Sequence, residues 1–224
     1  MSEQIETQEW PFLKELPTTV LGFSLDLQEQ KLAGRTQLFS YQDDKKRLGF
    51  SAMYDKNTKE YSIRRKIGLT EFCDIDFCTE QLPRFEQLLQ ERMQESMRQM
   101  SNFDEALLDS IVIKKEILQW GRELELSAKS HGFLLFVEPC RPVKVINGSY
   151  MVLDYSDFLN ESNLVVYYNM FRDDFFAEIR IHRLPEMTTL FDATTTKELD
   201  VIIKQHLEEV LQYMRGKIDN ETAV

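Results

Sequence analysis

Two stretches of the chain repeat apolar residues at three- and four-residue steps, the spacing that lines up one face of a helix. In PRFEQLLQERMQESMRQM, residues 83–100, the stripe is Leu82, Phe85, Leu89, Met93, Met97 and Met100, with Thr79 as the expected N-cap. In TTTKELDVIIKQHLEEVLQYMRG, residues 194–216, it is Leu199, Ile202, His206, Val210 and Met214. Thr195 and Glu198 stand at capping-box spacing there, and Gly216 marks the expected stop. Shifting the first helix by 117 residues places Phe85 on Ile202 and Met97 on Met214, in phase throughout.

Short alternating runs rich in aromatic and β-branched residues precede each helix, as half-buried strands require. The first half has GFSLDLQE, RTQLFSYQ, LGFSAMYD and EYSIRRKI; the second has GFLLFVEP, PVKVINGSYMVLDY, NLVVYYNMF and FFAEIRIHRL. Asn147-Gly148 between two apolar runs is a strong hairpin signal, and KNTKE (56–60) and FRDD (171–174) read as turns. The Gly-Phe pairs at 22–23 and 132–133 are 110 apart while the helices are 117 apart, so an insertion separates two copies of one pattern. Residues 101–130 read as a helix through Ile113, Ile117, Trp120 and Leu124, and QEWPFLKEL as a shorter one near the start.

The expected class is α+β. Two repeat units, 1–101 and 102–224, each contain a helix, a four-stranded antiparallel meander and a second helix. They are expected to join into one curved sheet covered by helices on one side, because pairing would protect two exposed edges.

Composition narrows the class without naming an activity. Hydrophobic residues make up 42% and charged residues 29% of the 224, the balance of a globular chain with a real core. No run approaches the length of a membrane span, the first residues lack the pattern of a signal peptide, and three unpaired cysteines suit a reducing compartment. A cytoplasmic location is therefore expected. The net charge is −11, with −3 in residues 1–101 (14 basic, 17 acidic) and −8 in residues 102–224 (13 basic, 21 acidic). That excess repels phosphate backbones and argues against nucleic acid as the partner.

The densest collection of reactive side chains is FCDIDFCTEQL, residues 72–82. In a regular strand Cys73, Ile75 and Phe77 would point one way, and Phe72, Asp74 and Asp76 the other. C-x4-C is not zinc-knuckle spacing and no second ligand pair accompanies it. The corresponding TLFDATTTKEL, residues 189–199, keeps an Asp and a Thr without either cysteine. The stretch reads as architecture. No nucleophile elbow, phosphate loop or metalloprotease signature occurs, so no catalytic residue, metal or cofactor is assigned.

Function is expected to lie in binding: a non-catalytic, chaperone-like or adaptor module for a protein or peptide. The residues singled out for a partner are Arg64, Arg65 and Lys66, a basic run in an acidic chain, with Met97 and Met100 at the end of the first helix. A second basic group, Lys45, Lys46 and Arg47, sits in an expected hairpin loop, where strand-edge charge also explains it. The alternatives are a small-ligand binder or enzyme using a cleft between the two halves, with Arg180, His182 and Arg183 as an anion site, and an acidic inhibitor of immunity type. The pattern leaves the oligomeric state open.

Overall fold

The computed structural model describes residues 10–32, 34–145 and 148–221. These fall into two compact units divided between Asn102 and Phe103. Each unit has a seven-stranded sheet of its own, in which every pairing is antiparallel. The fold is α+β, but the single curved sheet expected above is replaced by two sheets.

Unit 1 opens with a 3₁₀ turn, Pro11–Lys14, in place of the expected short helix; Gln8 and Glu9 of that stretch lie outside the described residues. Its strands are β1 (Thr19–Val20), β2 (Phe23–Asp26), β3 (Gln30–Leu32), β4 (Arg35–Asp43), β5 (Leu48–Asp55), β6 (Glu60–Ile67) and β7 (Thr70–Thr79). The sheet runs β1-β2-β4-β5-β6-β7, with β3 also paired to β4. Helix α1 (Leu82–Ser101) buries Phe85, Leu88, Leu89, Met93, Met97 and Met100 on its core face. Thr79 does not cap it: Gln81 is the N-cap residue, Pro83 fills the first turn, and Thr79 Oγ1 accepts from the Gln81 amide at 3.2 Å.

Unit 2 begins with a 3₁₀ turn, Glu105–Leu107, then α2 (Ser110–Lys114) and α3 (Ile117–Glu123). The expected single helix is broken at Glu116, whose φ of 57° is left-handed. The strands are β8 (Lys129–Ser130), β9 (Phe133–Val137), β10 (Val143–Val145), β11 (Ser149–Asp157), β12 (Ser162–Asn169), β13 (Asp174–Ile181) and β14 (Leu184–Glu186). The order is β8-β9-β11-β12-β13-β14, with β10 also paired to β11. The hairpin read from Asn147-Gly148 is present as Val145 opposite Ser149, although Asn147 itself lies outside the described residues.

Helix α4 (Thr196–Glu221) closes the unit. Its capping box forms as read: Thr195 Oγ1 accepts from the Glu198 amide at 3.1 Å, and Glu198 accepts from the Thr195 amide at 3.2 Å. Gly216 does not end the helix. Buried Ile218 lies one half-turn beyond it and belongs to the core, so packing carries the helix past the residue that propensity would choose as a stop. The core face of α4 is Leu199, Ile203, Leu207, Leu211, Met214 and Ile218. It packs with Trp120 and Ile117 of α3 on the sheet residues Leu153, Tyr155, Leu164, Val166 and Phe175.

The strand order of one unit is that of the other moved on by seven strands. Both carry the same bulge, where pairing slips between Gln37 and Phe39 on β4 and between Met151 and Leu153 on β11, 114 residues later. The Tyr41 hydroxyl donates to Pro17 O at 2.7 Å and the Tyr155 hydroxyl to Ser127 O at 2.6 Å. The offset is 110 through the first two strands and 114 from β4 to the long helix. It is not 117 at the helix: residues three apart are neighbours on a helix surface, so a three-residue slip left the apolar phase intact and hid the error. With 114, Leu89 falls on Ile203 and Met93 on Leu207, all of them buried. His206 moves to the margin, 3.6 Å from Glu209.

Candidate functional site

The basic run of β6 does not form one surface, because successive strand residues face opposite ways. Arg64 is half-buried and 3.6 Å from Glu71, and Lys66 is exposed. Arg65 points under α1 with Ile63 and Ile67 and is buried. Its Nη1 reaches Asp74 Oδ2 at 3.5 Å, and Ser96 of α1 donates to the same oxygen at 3.4 Å. Burial lowers the Arg65 pKa from its ordinary value, while Asp74 works in the opposite direction. The Arg65 Nε and Nη2 atoms have no hydrogen-bond partner among the described residues. Met97 and Met100 are buried in the core of unit 1 and offer no side chain to a partner.

Arg180, His182 and Arg183 are likewise divided. Arg180 lies on β13 and is half-buried beside Glu178. His182 and Arg183, at φ 48° and 68°, make the two-residue turn from β13 to β14, a conformation matched to hairpin twist. The His182 amide donates to Ser162 Oγ at 2.9 Å, and the exposed Arg183 side chain pairs with Glu161. Arg180 therefore belongs to the sheet face, whereas the other two belong to its end.

Opposite Arg180 lies a polar cluster that sequence reading missed. Asp154 and Ser156 of β11 and Asn163 of β12 occupy the sheet face turned away from α4, since Leu153, Tyr155 and Leu164 take the core side. All three are fully buried. Asp154 Oδ1 accepts from Ser156 Oγ at 2.8 Å and from Asn163 Nδ2 at 3.5 Å. Asp154 Oδ2 and Asn163 Oδ1 have no partner among the described residues. Burial pushes the Asp154 carboxyl up to about 7, against the lowering effects of Ser156, Asn163 and Arg180. The only signal in the sequence was an acidic residue inside the apolar run of β11.

This cluster lacks the parts of a nucleophilic site. Ser156 donates to a carboxyl group, not to an imidazole. His131 sits 3.2 Å from Glu208, His182 is in a turn and His206 is on α4. No group of three or more metal-ligating side chains occurs among the described residues, and no described helix is long and apolar enough to cross a membrane.

Exposed apolar residues gather at the end of unit 2 formed by the β11–β12 and β13–β14 turns. Leu159 is 89% exposed and Leu184 69% exposed. The two turns are tied together where the Arg183 amide donates to Glu161 O at 2.9 Å. At the position of Leu159 the matching turn of unit 1 carries Lys45.

Comparison with models of protein families, with curated proteins and with solved structures finds no match to this chain.

Proposed function

We propose that the chain is a non-catalytic binding module built from two copies of one α+β unit, and that it engages a protein partner through the turn end of unit 2. The observation that carries this reading is the pair Leu159, on the β11–β12 turn, and Leu184, the first residue of β14, both in solvent beside two turns that are bonded to each other. Turn geometry does not ask for them, since the matching turn of unit 1 is made with Lys45. Apolar side chains grouped in solvent favour association. The −8 balance of residues 102–224 selects a partner whose apolar anchor is ringed by Lys and Arg. The test is capture from source extract, followed by calorimetry of the purified partner against wild type and against L159K/L184T. The reading requires at least a tenfold weaker complex in the variant at unchanged thermal stability; equal affinity refutes it.

A further inference from the structure

β7 is the outermost strand on its side of the unit 1 sheet, and it does not pair evenly with β6. Ile63 lies opposite Asp74, but Tyr61 lies opposite Thr79, so two steps along β6 face five along β7. The surplus forms a bulge over Ile75–Phe77 and reverses the facing of the strand. Asp74, before the bulge, faces inward with its partner Ile63 and meets Arg65; after the bulge Ile75 stands 58% exposed and Phe77 faces the same inner side as Asp74. Residues five apart in a regular strand lie on opposite faces, about 17 Å from each other. Here the bulge brings Cys73 Sγ and Cys78 Sγ to 3.7 Å, van der Waals contact for sulfur. Both thiols are free, Cys78 exposed and Cys73 partly so.

We propose that Cys73 and Cys78 form a dithiol site that exchanges with small-molecule disulfides such as oxidised glutathione and closes to an intrachain disulfide. The remaining approach is about 1.6 Å, and the three-residue bulge, outside the regular pairing with β6, is the segment that would move to supply it. The Cys73 thiolate attacks one glutathione sulfur, the glutathione S–S bond breaks, and one glutathione thiolate leaves and takes a proton. Cys78 then loses its proton to water and attacks Cys73 Sγ; the mixed disulfide breaks and the second glutathione departs reduced. Two protein thiols are oxidised, and one glutathione disulfide is reduced to two thiols. Cys78 is the resolving partner because its thiol is held protonated: burial first, then the adjacent Cys73 and the charges of Glu60 and Asp74, push it up to about 12. It also donates to Asp74 O at 3.8 Å. Closure therefore accelerates with pH through the neutral range.

The closed ring contains Asp74, which holds Arg65 and Ser96. Oxidation thus fixes the bulge next to the buried ion pair of unit 1. Cys140 lies in unit 2, its thiol directed to Glu138 at 3.5 Å, and serves as an internal control.

The experiment equilibrates the full chain with oxidised glutathione, alkylates the remaining thiols and maps them by peptide mass. The expected result is loss of two alkylatable thiols of three, with Cys73 and Cys78 recovered in one cross-linked peptide. Cys78→Ser, which lacks the resolving thiol, should retain one glutathione on Cys73. Three free thiols in wild type, a stable glutathione adduct without closure, or disulfides only between chains would each overturn the proposal. The wild-type readout needs no substitution, so a variant that fails to fold leaves the decision intact.

Discussion

Trp120 donates its indole N–H to Asp200 Oδ1 at 3.1 Å, joining α3 to α4. Trp10 does the same in unit 1, donating to Glu86 Oε2 on α1 at 3.0 Å. The chain has two tryptophans, and each bolts the opening segment of a unit to its long helix by a bond to a carboxylate. A bond of that kind contributes about 1.5–3 kcal/mol, and its loss strands a half-buried acceptor. Trp120→Phe and Trp10→Phe should each destabilise by about 2 kcal/mol in urea melts, with little loss of apolar burial. Because the units are compact separately, the two costs should add; strong coupling in the double variant would contradict this.

Two glycines should respond to alanine with opposite sign. A Cβ on Gly121 would meet Pro139 C and Cys140 N at 2.4 Å, both backbone atoms unable to swing aside. Gly121→Ala should cost about 1–3 kcal/mol by overpacking. Gly216 sits inside α4 with nothing within 4 Å of a built Cβ, so Gly216→Ala should add about 0.8–1 kcal/mol through helix propensity. Thermal melts of the two variants check both directions.

Asp154 makes stability depend on pH. Its carboxyl binds a proton more tightly in the folded protein, where burial raises it to about 7, than in the unfolded chain near 3.8. Between those values the native state holds the extra proton, so stability falls as pH rises from about 4 to 7 and levels off above. The slope from this group is at most about 1.4 kcal/mol per pH unit. Asp154→Asn should lose that slope and gain on wild type as pH rises from about 4 to 7. Parallel stability curves for the two proteins from pH 4.5 to 8 would rule it out.

Arg65 and Asp74 are both buried, and breaking such a pair leaves one charge uncompensated. Asp74→Ala should therefore cost about 3–5 kcal/mol, more than Glu71→Ala at the exposed pair with Arg64, where about 0–1 kcal/mol is expected. Chemical denaturation of the two variants separates them.

Apolar and aromatic runs were enough to place β4, β5, β6, β11, β12 and β13; β6 and β13 alternate with one buried face, whereas β11 and β12 are buried along nearly their whole length. The capping box at Thr195 and the stripe of α1 were equally local. Five things were decided only by the tertiary structure. The break at Glu116 and the continuation of α4 past Gly216 were set by what Trp120 and Ile218 must reach. The correct face of α4 followed from packing, since Ile202 and Ile203 are both apolar and sequence could not choose between adjacent stripes. Arg65 looked like surface charge until Asp74 was found opposite it under α1. Pairing of Asp74 with Ile63 turned the first part of FCDIDFC over, and the bulge in β7 then set Phe77 on the same side and brought Cys73 to Cys78, because pairing with β6 is a long-range constraint that no local pattern records. The chain's own periodicity thus determined the main strands and the two long helices; contacts between distant segments decided where the shorter helices break and which polar groups and thiols meet.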